Sequence, residues 1–191
     1  MIAPDEARSI AELVASYDPD RPPPFLFFWG HTPPTSGAIG PHVLSQWYPA
    51  PFEVDGTPYP TAEHFMMAAK ARLFGDQATL AAILGTGDPH QAKKLGRQVQ
   101  GFISEIWERE CFELVIQGNL AKFSQNPDLG QYLQQTGAQV LVEASPHDRI
   151  WGIGLGAEEA QNRSPATWPG LNRLGFALME TRSRLRDSTH G

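Results

Sequence analysis

Apolar positions follow two rhythms along the chain. Before Thr61 they come in short runs broken by proline and glycine; after it they recur every three or four residues. Phe25-Leu26-Phe27-Phe28-Trp29 is continuous and aromatic, which predicts a buried strand. Val43–Tyr48 is expected to be a second strand, and Phe52–Tyr59 a strand entering a hairpin turn at Asp55-Gly56. Ahead of these, Ile10, Leu13, Val14 and Tyr17 share one face of a helix over residues 4–17. Asp18–Pro24 breaks it as a semi-rigid linker.

From Thr61 the pattern is helical. Helices are predicted over 61–74 and 76–84, from Asp88-Pro89 through Arg97, and over 103–121 and 129–135. Gln139–Glu143 returns to strand character, and a last helix runs over 173–186 behind a glycine- and proline-rich loop. The expected fold class is α+β, a single compact helix-dominated domain with a few short strands. Residues 25–187 form it, after an N-terminal helical extension and Pro-rich linker over residues 1–24.

Composition narrows the partners. Hydrophobic residues at 41% and charged residues at 19% fit an ordinary globular protein. A formal charge of -6 gives no overall attraction to nucleic acid or to an anionic membrane. Lys93, Lys94 and Arg97 still form a local basic cluster that suits a phosphate, or else a solvated face. A single cysteine, Cys111, excludes an intrachain disulfide, and its spacing with Trp107, Leu114 and Val115 reads as core. The histidines make no metal-ligand spacing, so no metal and no cofactor are expected. No run is long and apolar enough to span a bilayer and the start does not read as a signal peptide, so the expected location is cytoplasmic, with no membrane partner.

The most informative stretch is Tyr59-Pro60-Thr61-Ala62-Glu63-His64-Phe65-Met66-Met67-Ala68-Ala69-Lys70. Thr61 suits a helix cap, and Glu63, Met66, Met67 and Lys70 fall on one face. An acid near the helix start complements the dipole. Seven residues of rise are about 10 Å, an interval that would admit a small ligand between Glu63 and Lys70. A dipole-matched surface acid and a snorkelling lysine are the plainer reading of the same spacing. Trp151, in a loop beside Glu143 and Asp148, suits stacking on a heteroaromatic base or anchoring a core. Gly152-x-Gly154-x-Gly156 lacks the offsets of a dinucleotide loop.

Several of these pieces occur together in order. They are Leu44–Phe52, Tyr59–Lys70, Ala92–Arg97, Lys122–Asn126, Leu133–Gly137, Leu141–Ser145, Asp148–Gly154 and Gly170–Gly175. The series resembles the NADAR family, the YbiA-like N-glycosidases, over about residues 25–186. Gln46 stands where the family commonly has asparagine, and Gly154-Leu155-Gly156-Ala157 where many members carry a longer Gly/Asp run. The resemblance implies cleavage of the bond between a ribose and an amine-bearing base. The implied substrate is ADP-ribose attached to guanine in nucleic acid or a phosphorylated ribosylamino-pyrimidine of riboflavin synthesis. It implies a small-molecule nucleotide or ADP-ribose adduct as partner, or ADP-ribosylated nucleic acid as carrier. Glu63, Lys70 and Asp148 would be catalytic; Trp47, Lys94, Arg97, Trp151 and Asn172 would hold the substrate. The alternative is a module that binds ADP-ribose or a nucleotide without turnover.

Overall fold

The computed structural model describes residues 2–189. The fold is α+β and helix-dominated. Its elements are α1 (Ile10–Ser16), β1 (Phe25–Phe28), β2 (Phe52–Val54), β3 (Thr57–Tyr59), α2 (Ala62–Leu73), α3 (Gln77–Leu84), α4 (Pro89–Gly96), α5 (Ser104–Gln125), α6 (Pro127–Gln135), β4 (Val140–Glu143), α7 (Ala157–Ala160) and α8 (Arg173–Thr189). The chain divides into two compact units, one built from residues 1–45 and 131–191, the other from residues 46–130.

In the first unit β1 and β4 pair in parallel, Phe25 opposite Val140 and Phe28 opposite Glu143. Val140, Leu141 and Val142 are fully buried, and α8 packs on β4. Such parallel strands are apolar on both faces and carry chemistry at their carboxyl ends. Here those ends lead into Trp29 and into the loop after Glu143. The N-terminal segment lies on α8: Arg8 pairs with Glu180 at 2.7 Å. The fully buried Arg182 reaches the Asp5 carboxylate at 3.7 Å.

In the second unit β2 and β3 form an antiparallel hairpin. Asp55 and Gly56 both have positive φ, 50° and 72°, as a two-residue turn of this hand needs. α2 is buried along almost its whole length, packed by α3, α4 and α5. Two glycines allow this approach. A Cβ on Gly96 of α4 would come 2.0 Å from Met67 Sδ, and one on Gly118 of α5 would come 2.5 Å from Phe65.

One expected strand is absent. Residues 41–44 form a 3-10 turn instead, because Pro41 follows extended Gly40 and presets helical φ; the chain then passes into turns up to Tyr48. α5 runs four residues beyond the expected end, to Gln125, and Pro127 then starts α6.

Candidate functional site

In the second unit the site is built at the start of α2. Thr61 is the cap, its hydroxyl accepting from the His64 backbone N–H. Glu63 sits in the first turn and is 5% exposed. Its backbone N–H donates to the Gln46 carbonyl at 2.9 Å, which ties the helix start to the segment before β2. The Gln46 amide is paired with Asn119 of α5, Nε2 donating to Oδ1 at 3.0 Å.

His64 is buried beside Glu63. Burial lowers its pKa, against opposing pulls from the Thr86 backbone and the Asp88 carboxylate. Nδ1 lies 2.8 Å from the Thr61 hydroxyl, while the buried Nε2 forms no hydrogen bond among the described residues. His64 is therefore a neutral imidazole near neutral pH, with its charged form disfavoured by burial.

Trp47 stands over the start of α4. His90 meets its ring edge-on at 6.0 Å, and Lys93 Nζ lies 5.8 Å from the ring. Asp88 caps α4, its Oδ1 accepting from the His90 N–H at 3.0 Å. Of the α4 lysines, Lys93 accompanies Trp47; Lys94 is exposed, as is Arg97 at the C-cap.

Lys70 ends the α2 stripe. Its Nζ donates to the Gly96 carbonyl at 2.9 Å and lies 4.2 Å from the Phe102 ring. Burial, and then the like charge of Arg97, lower its pKa. The interval between Glu63 and Lys70 is not open, contrary to the expectation from spacing. Met67 occupies it, 6% exposed and packed on Gly96.

One further amine was missed by sequence reasoning. Lys122 of α5 is fully buried, with Nζ 5.9 Å from the Tyr48 ring and 4.9 Å from the Phe123 ring. Burial pushes its pKa down to about 7. The signal was its register: Cys111, Val115, Asn119 and Lys122 follow the inward row of α5.

In the first unit Asp148, Trp151 and Asn172 come together through backbone lacing. Asp148 Oδ1 accepts from the Ile150 N–H at 2.9 Å and the Trp151 N–H at 2.8 Å. This Asx turn sets the half-buried Trp151. Loop and α8 start are joined by Leu171 N–H to the Arg149 carbonyl and Leu174 N–H to the Trp151 carbonyl.

Asn172 does not meet the role expected of it. It is fully buried with φ 51°. Its Oδ1 accepts from Glu143 N–H and its Nδ2 donates to the Leu141 carbonyl, each at 2.9 Å. Both ends of the amide are spent on β4, so neither is offered to a base or a sugar. A Cβ on Gly175 would come 2.1 Å from the Leu141 carbonyl, and this close approach of α8 is what lets Asn172 reach β4.

The chemistry available is thus a buried carboxylate, a neutral imidazole, an indole with a cation on its face, and two amines of lowered pKa in one unit. The other unit offers a second indole set by a carboxylate turn. Among the described residues no three His, Cys, Asp or Glu side chains gather as metal ligands.

The NADAR domain model matches residues 27–186. N-glycosidase R617 of Acanthamoeba polyphaga mimivirus is 44% identical over 163 residues, 83% of this chain and 94% of that protein. N-glycosidase YbiA of Escherichia coli (strain K12) is 32% identical over 135 residues, 71% of this chain and 76% of that protein. The NMR structure of the E. coli protein YbiA matches at a TM-score of 0.68 and 28% identity, covering 87% of each chain.

Proposed function

The chain belongs to the NADAR domain family, and on that premise we propose that it is an N-glycosidase acting on a ribose joined to an amine-bearing base. The observation that carries the reading is Glu63, a carboxylate 5% exposed in the first turn of α2. The similarity to N-glycosidase R617 supports it.

In the reaction the C1′–N bond breaks and its electron pair goes to the base nitrogen, which takes a proton. The water oxygen bonds to C1′ and loses a proton. Positive charge builds on C1′ and the ring oxygen, and a fixed carboxylate stabilises it. Glu63 has that role. Trp47 stacks a planar part of the substrate. Lys93 takes the phosphate role, and the exposed Lys94 and Arg97 contribute less.

Lys70 supports a second route. Its nitrogen bonds to C1′ of a ring-opened ribose as the base leaves with the electron pair and a proton, and water then hydrolyses the imine. The lowered pKa of Lys70 favours this; the Gly96 bond must first be released. Borohydride added during turnover would fix the sugar on Lys70 if the imine forms, and leave the residue unmodified if Glu63 acts without it.

The substrate is ADP-ribosyl-guanine or a phosphorylated ribosylamino-pyrimidine, with cleavage in the cytoplasm. The protein is incubated with ADP-ribosylated guanosine, ADP-ribosylated DNA and the ribosylamino-pyrimidine phosphate, and released base is followed by mass spectrometry. One of the three loses its sugar. Tight binding of all with no base released would make the chain a binding module instead.

A further inference from the structure

The second unit holds a cavity of about 490 Å3 between the β2–β3 hairpin, α2 and α5, and we propose that it binds a purine base, free or as its nucleoside. Phe65 and Arg72, which line it, lie roughly opposite Glu63 on a helix of about 3.6 residues per turn. The cavity is therefore on the other side of α2 from the Glu63 face. The proposal does not rest on the glycosidase reading.

The cavity follows from the packing. Gly118 lets α5 touch α2 at Phe65. Ahead of that contact on α5, Leu114 and Gln117 face small Ala69 and leave a recess. Its open apolar surface comes from Val54, Leu73 and Leu114, while Tyr59 and Phe65 line it as buried rings that meet edge to face at 5.2 Å.

Polar groups at the rim are already held in position. Arg72 Nη1 donates to the Tyr59 hydroxyl at 2.6 Å, and Glu110 accepts from Arg109 Nε at 2.7 Å. Gln117 adds an amide with a donor and an acceptor. The site thus offers an apolar floor for a flat ring and, around it, both donors and acceptors. A purine matches both: its faces are apolar, and its edge carries ring nitrogens that accept and N–H groups that donate. An aliphatic ligand would offer Arg72 and Gln117 no partner in place of the water it displaces. An anion would meet Asp55 and Glu110 at the rim. The volume lies within the range of about 300–1,000 Å3 typical of small-molecule sites.

The test is a titration of the 15N-labelled full chain with guanosine, adenosine and, as a sugar control, ribose. Saturable shifts are expected at the amides of Phe65, Ala69, Leu114 and Gln117 with both nucleosides and not with ribose. Gln117→Leu should weaken that binding at least tenfold, and Ala69→Trp should abolish it by filling the recess. Glu63→Gln should leave these shifts in place. The proposal is overturned if these amides do not move, if ribose moves them equally, or if Gln117→Leu binds as the unsubstituted chain does. Should Ala69→Trp fail to fold, Gln117→Leu decides alone, since its side chain is exposed.

Discussion

Two regions bury polar side chains, and they use them differently. Around β4 and the start of α8, the buried Asn172 and the half-buried Asp148 direct their polar atoms at the backbone. Around α2, Glu63 and His64 are buried too, and their own backbone N–H groups are met by the Gln46 carbonyl and the Thr61 hydroxyl. A buried polar group is therefore weak testimony to chemistry until its partners are known. The first region is a brace and the second is where the chemistry is proposed.

That division can be broken by substitution. Asn172→Ala strands the Glu143 N–H and the Leu141 carbonyl, each at roughly 1–3 kcal/mol, and places alanine at φ 51°. A loss of about 3 kcal/mol should appear as a Tm lower by roughly 6–12 °C at this chain length. Below that Tm, KM should stay near its original value; a KM raised many-fold in a folded Asn172→Ala protein would return Asn172 to the substrate.

Asp148 gives a sharper contrast. Asparagine keeps the oxygen that accepts from Ile150 and Trp151; alanine does not. Asp148→Ala leaves the Ile150 and Trp151 N–H groups without their acceptor and should lower the Tm by a few degrees, in line with a loss of roughly 1–2 kcal/mol. Asp148→Asn should lose only a fraction of that. Equal losses would mean that the charge, and not the accepting oxygen, holds the turn.

Lys122 sharpens the comparison through pH. An unfolded lysine titrates near 10.5, whereas the folded one titrates near 7. Between these values the unfolded chain binds more protons, so stability rises with pH. The gain is at most about 1.4 kcal/mol per pH unit. Denaturant unfolding at pH 7 and pH 9 should show the rise, and Lys122→Met should flatten it. The smallest effect belongs to Lys93: Lys93→Ala should raise KM several-fold for a phosphorylated substrate while Lys94→Ala hardly changes it.

Much of this was written in the chain. Thr61, Asp88-Pro89 and Asp55-Gly56 are local signals, and each gave the helix cap or hairpin turn that its chemistry demands. The pairing of Phe25 with Val140 was not legible, because nothing local selects a parallel partner so distant in sequence. Residues 43–48 failed as a strand for the opposite reason: the Gly40-Pro41 start outweighed the apolar run. The place of Glu63 in the first turn of α2 was legible from the Thr61 cap. The fates of Asn172 and Met67 depended on close approaches at Gly175 and Gly96, which only the packed structure reveals. Lys122 was hidden because a lysine on an apolar helix row usually snorkels to water.

The central claim is that Glu63 carries the reaction, and the direct measurement is single-turnover release of base by Glu63→Gln against the unsubstituted chain. The side chain keeps its shape and loses its charge. On this account the rate falls by about 100- to 1,000-fold, as when one preorganised electrostatic group is removed, while the Tm stays within a few degrees. Base released by folded Glu63→Gln at an undiminished rate would contradict it.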